Sequence, residues 1–182
     1  MQNILILPVA VPGSGKSSFG KFLERMAFKC GVTTAIHSTD DKFIVNGEYK
    51  FDARNLGYNH NLNLKNAEES FKNGINYVYI DNTNLRLRDR KQYIDASKPY
   101  DYLIAEIFFI PGNLEDHYCR NIHDVPLAKI NEMINIFNNN PMPSGLATHG
   151  LTFYVSPSDI PGSEQYYNIC EHILKTDLIR EI

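Results

Sequence analysis

The sequence predicts an α/β fold: a mainly parallel sheet with helices on both faces. Three observations predict it. Short β-rich apolar runs alternate with segments of helical periodicity along nearly the whole chain. The first run, Asn3–Leu7, is almost continuously apolar, as a strand buried on both faces must be. A glycine-bearing loop ending in Lys16-Ser17 then joins that run to the first helical segment. The 182 residues suit one such domain with a sizeable core, so a single domain over 1–182 is expected.

Each element has its own signal. Ser17–Cys30 reads as a helix with Phe19, Phe22, Leu23, Met26 and Ala27 on one face and Gly31 to close it. Val32–Ile36 is a short second strand. Asn46-Gly47 between apolar residues predicts a small hairpin-like excursion at 45–49. Asp52 is placed to cap a long helix running to about Lys72, with Gly74 ending it. Ile75–Ile80 is a third strand, and Arg88–Ala96 a helix that stops before Pro99. Tyr102–Ile110 is a longer strand with Glu106 inside it. Leu114–Ile122 and Pro126–Phe137 read as two helices broken near Pro126, a lid-like pair spanning about 114–137. The Asn/Pro-rich stretch 138–145 is a loop and the best candidate for a flexible segment. Leu151–Val155 and Gln165–Leu174 are the last strand and helix.

Composition narrows the function. A net charge of −3 and a pI of about 6.1 argue against a surface coated in basic charge for bulk nucleic-acid binding, without excluding a local basic groove. Cys30, Cys119 and Cys170 are scattered and odd in number, which predicts reduced thiols in a cytoplasmic protein, a host's cytoplasm if the chain is viral. No basic leader with an apolar run opens the chain, and no apolar stretch approaches membrane-spanning length. No membrane partner is therefore expected. The six histidines show no HxxxH or HExxH spacing and make no metal set. His37-Ser-Thr39 matches one half of a two-histidine phosphodiesterase signature, but Thr148-His149-Gly150-Leu151 does not supply the second half.

Three polar clusters fall at the carboxyl ends of predicted strands, where open α/β sheets bind ligands. The first is Pro12-Gly-Ser-Gly-Lys-Ser-Ser18, a P-loop. Gly13 and Gly15 let successive backbone N–H groups face one anion, and the helix start adds its positive end. Lys16 would reach the β- and γ-phosphates of a nucleoside triphosphate, ATP or another, and Ser17 would ligate Mg²⁺. The first glycine of the usual pattern is Ala10 here. Asp81, after Tyr77-Val-Tyr-Ile80, is a second Mg²⁺ ligand candidate. In Ser38-Thr-Asp-Asp-Lys42 one carboxylate of the pair faces the site and is placed to accept a hydroxyl proton. The arginine supply is Arg86, Arg88, Arg90 and Arg120. Arg120 is the choice for meeting the charge of the transferring phosphoryl group, because it precedes the lid-like helix break. Tyr49, Phe51 and Tyr58 are candidates for stacking on a nucleobase.

Taken in order, Val11-Pro-Gly-Ser-Gly-Lys-Ser17, Ser38-Thr-Asp-Asp-Lys-Phe43, Val45-Asn-Gly-Glu-Tyr-Lys-Phe-Asp52, Asp81-Asn-Thr-Asn84 and Arg120-Asn-Ile-His-Asp-Val-Pro126 resemble the P-loop kinase domain of the polynucleotide kinase family, in its NEDD4-binding-protein-like branch. The resemblance covers about 3–137. It implies transfer of the γ-phosphate of an NTP to a 5′-hydroxyl of DNA or RNA. It implies Asp40 as the general base, Arg120 as the lid arginine, and Asp81, Thr83 and Asn84 as shaping the phosphate and acceptor pocket. His60 falls where the family's long helix often carries a histidine. The bacteriophage member has an acceptor-gripping arginine where this chain has Phe43, so Lys42, Arg54 or Arg86 would have to replace it. Any phosphatase or ligase partner activity would lie on another polypeptide. Two alternatives stand beside this reading: a kinase for a nucleoside, nucleotide, modified base or other small alcohol, and a nucleotide-binding module without catalysis.

Overall fold

The computed structural model describes residues 2–140, 150–159 and 163–176. Seven strands are present among them: β1 (Ile4–Val9), β2 (Thr34–His37), β3 (Ile44–Val45), β4 (Glu48–Tyr49), β5 (Tyr77–Ile80), β6 (Leu103–Phe109) and β7 (Gly150–Val155). The helices are α1 (Lys16–Lys29), α2 (Leu56–Lys72), α3 (Leu87–Ser97), α4 (Leu114–Arg120), α5 (Leu127–Asn139) and α6 (Glu164–Lys175). Five strands form one all-parallel sheet in the order β2-β5-β1-β6-β7, and β3 and β4 form a separate antiparallel hairpin.

Strand alternation divides the core into two layers. Ile4, Ile6, Tyr77, Tyr79, Ala105, Ile107 and Phe109 face α1 and α6, meeting Phe19, Leu23, Tyr166, Ile169 and Ile173. Leu5, Leu7, Val78, Ile80 and Ile104 face α2 and α3, meeting Ala67, Phe71, Tyr93 and Ile94. A smaller cluster of Val9, Val11, Leu85, Phe108 and Phe137 seats α5 beyond the end of β1. The chain leaves β1 for the β2 and β5 side and later returns on the other side through β6. The carboxyl end of β1 is thus the switch point where a crevice opens.

Several boundaries differ from the sequence reading. β1 continues through Pro8 to Val9. Proline is tolerated because pairing with β5 stops at Ile6, while the register with β6 runs on to Val9. Asp52 caps a 3₁₀ turn, Ala53–Asn55, rather than α2 itself, and its Oδ1 accepts the Arg54 N–H at 3.0 Å. Pro99 does not end the segment abruptly: α3 passes into a 3₁₀ turn, Lys98–Tyr100, whose first positions need no N–H donor. Of the loop expected at 138–145, Asn138 and Asn139 instead continue α5, and its part from 141 lies outside the described residues, as does His149.

Candidate active site

The loop after β1 is built to hold an anion. Ala10 and Val11 are fully buried, so the methyl that replaces the usual glycine is absorbed into the core. Ala10 N–H donates to the Thr83 carbonyl at 3.0 Å, tying the loop to the segment after β5. Gly13 and Gly15 take φ of 75° and 87°, values that glycine adopts without strain. Gly15 is the N-cap of α1, and no side chain caps the helix start. Its free N–H groups and positive end suit phosphate. The Ser14 hydroxyl is buried in this loop without a hydrogen-bond partner.

Lys16, Ser17 and Asp81 converge. Lys16 Nζ is 3.1 Å from Asp81 Oδ1 and 3.4 Å from Ser17 Oγ, with both charged side chains close to buried. The start of α1 is fixed against β5: Tyr79 Oη donates to the Lys16 carbonyl at 2.7 Å. Gly20 lies on the Tyr79 ring, where a Cβ would come within 2.8 Å. Burial holds the Tyr79 phenol well above its ordinary pKa, so it remains a donor. Asp81 N–H donates to the His37 carbonyl at 2.9 Å, which brings the ends of β5 and β2 together. This hydroxyl and carboxylate pair beside a lysine fits a phosphate-bound Mg²⁺, an ion that keeps several waters and takes few protein ligands. No cluster of three or more His, Cys, Asp or Glu side chains placed to hold a metal occurs among the described residues.

Asp40 opens a 3₁₀ turn, Asp40–Phe43, directly after β2. The preceding Thr39 is locked in place. Its N–H donates to Asn82 Oδ1 at 3.0 Å, and its hydroxyl meets His60 Nδ1 at 3.2 Å. Asn82 in turn donates to Tyr93 Oη, which also receives a bond from the buried Asn63. Asp40 is partly exposed and its neighbour Asp41 exposed, and Asp40 is the carboxylate that the surrounding side chains engage. Tyr49 Oη donates to Asp40 Oδ1 at 3.3 Å, and His123 Nε2 lies 3.7 Å from Oδ2. Phe43 is buried against Tyr49 and Phe51, so it supports the turn and offers nothing polar to an acceptor.

Helix α4 rests on the phosphate loop. A Cβ on Gly13 would lie 2.3 Å from the main-chain oxygen of His117. His117 accepts the Gly112 N–H on Nε2 at 3.0 Å, and burial pushes the ring's pKa down, so it is neutral. Arg120 ends α4 and is exposed; with Ser14, Gly112, Asp116, Ser156 and Asp159 it lines a pocket beside the loop. One short stretch, 117–123, thus touches the phosphate loop at one end and Asp40 at the other.

The remaining sequence candidates sort by exposure. Pro12, Thr83 and His60 are partly exposed near the crevice, and Ser18 is exposed on the first turn of α1. Asn84 is buried with φ of 49°, and its amide donates to the Pro8, Ile80 and Asn82 carbonyls. It holds the loop's backbone and has no free donor for a substrate. Arg90 is fully buried: its Nε lies 3.0 Å from Glu106 and Nη1 donates to the Asn84 carbonyl. Arg86 and Arg88 are exposed at the start of α3, and Arg54 pairs with Asp52 at 2.9 Å. Lys42 Nζ lies 3.2 Å from the Asn66 amide oxygen once that amide is turned to satisfy both groups. Sequence reasoning missed the roles of Asn82, Tyr49 and His123. All three lie inside the ordered motifs: Asn82 with Asp81, His123 with Arg120, and Tyr49 in Val45–Asp52, though spacing does not say what they touch.

No model of a known protein family matches the chain. It is 37% identical over 136 residues to human NEDD4-binding protein 2, a stretch covering 72% of this chain and 7% of that protein. The chain therefore spans only a small part of that relative's length. Among solved structures, an APS kinase from Mycobacterium tuberculosis, in complex with AMPPNP and APS, superposes with a TM-score of 0.62 at 15% identity, covering 96% of this chain and 98% of that one. Kti12 from Chaetomium thermophilum, in complex with ADP-AlF3, gives 0.63 at 14% identity over 94% and 97%. A chain of the Pnkp1/Rnl/Hen1 RNA repair complex gives 0.62 at 18% identity over 80% of this chain and 49% of that one. These likenesses show that the chain has the fold of P-loop kinases. Two of these neighbours were solved with nucleotide analogues. No helix among the described residues is long and apolar enough to cross a membrane.

Proposed function

We propose that this chain is a P-loop kinase that transfers the γ-phosphate of ATP, or another NTP, to the 5′-hydroxyl of a DNA or RNA end. The observation that carries the reading is the bridge made by residues 117–123. It ties the Asp40 carboxylate to the phosphate loop, His117 lying against Gly13 and His123 against Asp40, which supports reading the two as one site. A nucleotide-binding module without catalysis has no use for that pairing.

In this reading the acceptor hydroxyl attacks the γ-phosphorus. The new O–P bond forms as the bond to the β–γ bridging oxygen breaks, the hydroxyl proton passes to Asp40, and the nucleoside diphosphate leaves. Lys16 leaves Asp81 for the β- and γ-oxygens, and Arg120 meets the charge spread over the equatorial oxygens. Ser17 and Asp81 would hold Mg²⁺, which supplies neutralisation of phosphate charge when bound. The loop N–H groups and the start of α1 orient the triphosphate.

Support for a polymeric acceptor comes from the open flank beside Asp40. Phe51 is 57% exposed and packs at a tilt against Phe43 of the Asp40 turn; Tyr58 is 70% exposed on the helix that carries His60. Such rings suit the stacking of bases on a strand end. The net charge of −3 favours the second reading, a kinase for a small alcohol. One assay separates them: transfer of labelled γ-phosphate to matched 5′-hydroxyl DNA and RNA oligonucleotides and to a mononucleoside 3′-phosphate, across a salt series. Oligonucleotide labelling that falls steeply with salt is expected. Labelling of the mononucleotide alone, indifferent to salt, would transfer the conclusion to a small-molecule kinase.

A further inference from the structure

Asp40 sits between two donors from distant parts of the chain. Tyr49, on β4, reaches Oδ1 at 3.3 Å; His123, on the α4–α5 connection, lies 3.7 Å from Oδ2. The two rings pack together with centroids 4.6 Å apart, so they form one unit around the carboxylate. Burial, and after it the charge of Asp40, pushes the Tyr49 phenol up to about 12, which keeps it a donor at any physiological pH. His123 Nδ1 is buried without a hydrogen-bond partner, and the residue's own N–H is bound to Asn121 Oδ1 at 3.2 Å. A proton on Nδ1 would be a buried donor with no acceptor, which is costly. The neutral ring therefore carries its proton on Nε2, facing Asp40.

We propose that Tyr49 and His123 are positioning residues that hold the Asp40 carboxylate in one orientation, Tyr49 by its hydrogen bond to Oδ1 and His123 by standing its Nε2 beside Oδ2. The carboxylate's free lone pairs then point to the acceptor hydroxyl. The inference rests on Asp40 accepting that hydroxyl's proton; Tyr49 and His123 keep their own protons throughout. It also gives the α4–α5 connection a second task. The stretch that sets Arg120 over the phosphate loop through His117 also sets the base through His123, so ordering the donor side orders the acceptor side. The titratable groups around Asp40 are Tyr49 from β4, His123 from the α4–α5 connection, His60 of α2 through Thr39, and Asp41 and Lys42 on its own turn.

The test has two arms on the full chain. In the first, the His123 ring resonances are followed by NMR at one fixed pH in wild type, Tyr49→Phe and Asp40→Asn. Each variant moves the ring signals, because each alters a side chain packed against the ring. Signals that stay put in both variants overturn the contact, whatever the substrate. In the second, γ-phosphate transfer is followed in Tyr49→Phe, His123→Ala and His123→Gln, with ATP affinity measured alongside. Tyr49→Phe and His123→Ala each lower kcat roughly tenfold and leave ATP affinity within about twofold. His123→Gln, which retains an N–H donor, recovers much of the rate. Unchanged rates, a rate loss matched by an equal loss of ATP affinity, or no recovery in His123→Gln, overturn the proposal. Full transfer by Asp40→Asn defeats the base assignment itself, and if wild type labels no acceptor the NMR arm decides alone.

Discussion

Gly13→Ala places a methyl carbon 2.3 Å from the main-chain oxygen of His117, in a backbone with φ of 75°. Carbon and oxygen ordinarily approach no closer than about 3.3 Å, so roughly 1 Å of separation must be regained. The obstacle is helix backbone and cannot rotate away as a side-chain tip would. Left-handed backbone adds about 1–2 kcal/mol for any residue with a Cβ. With the cost of displacing packed structure, the loss of stability comes to about 2–4 kcal/mol. Urea unfolding measures that loss, and an ATP titration measures how far the loop has moved; affinity falls more than about tenfold if the N–H groups no longer converge. Gly57→Ala is the control. Gly57 lies in α2 with nothing near its would-be Cβ and no positive φ, so alanine there adds about 0.5–1 kcal/mol. Equal, small effects at both glycines would refute the seating of α4 on the phosphate loop.

Two further outcomes follow from buried charge. Arg90→Met removes one partner of the Arg90–Glu106 pair and leaves a buried carboxylate, costing about 3–5 kcal/mol in urea unfolding, while adding Glu106→Leu recovers most of it. His37 is held down at about 4, first by burial and then by Lys42, and its Nε2 meets Ser70 Oγ at 2.9 Å. The unfolded chain takes up this proton near pH 6.5 and the folded chain only near 4, so stability is lost as pH falls through that window, by about 2–3 kcal/mol in all. His37→Gln should flatten the unfolding free energy between those two pH values; an unchanged slope would show that His37 does not titrate with folding.

What was legible in the sequence is what local chemistry writes. Gly13, Gly15, Lys16 and Ser17 are read from spacing because one anion must meet consecutive N–H groups. The Asp40-Asp41 pair and Asp81 are read from strand ends because a parallel sheet presents its loops on one edge; the choice of Asp40 within the pair came from the resemblance. The five strands of the main sheet were found for the same reason: their apolar runs are short and bounded. Contacts between distant segments were less legible. Nothing in the spacing says that His123 reaches Asp40, because the sheet order and the length of α4 decide it. Asn84 reads as a polar site residue, but its left-handed backbone makes its amide a staple between β1 and β5. Arg90 reads as one of the arginines available to a phosphoryl group, because helical periodicity cannot show that Glu106 waits inside the sheet to pair with it.

The central claim is that the phosphate loop and Asp40 form one phosphoryl-transfer site, and single-turnover transfer of labelled γ-phosphate tests it most directly. Wild type and Asp40→Asn are compared with saturating Mg²⁺ and ATP and a 5′-hydroxyl oligonucleotide, with ATP affinity measured on the same samples. The account predicts labelled oligonucleotide from wild type, a rate lower by about 10²–10⁴ in Asp40→Asn, and unchanged nucleotide affinity. Equal transfer by both proteins, or tight ATP binding with no transfer by either, would contradict it.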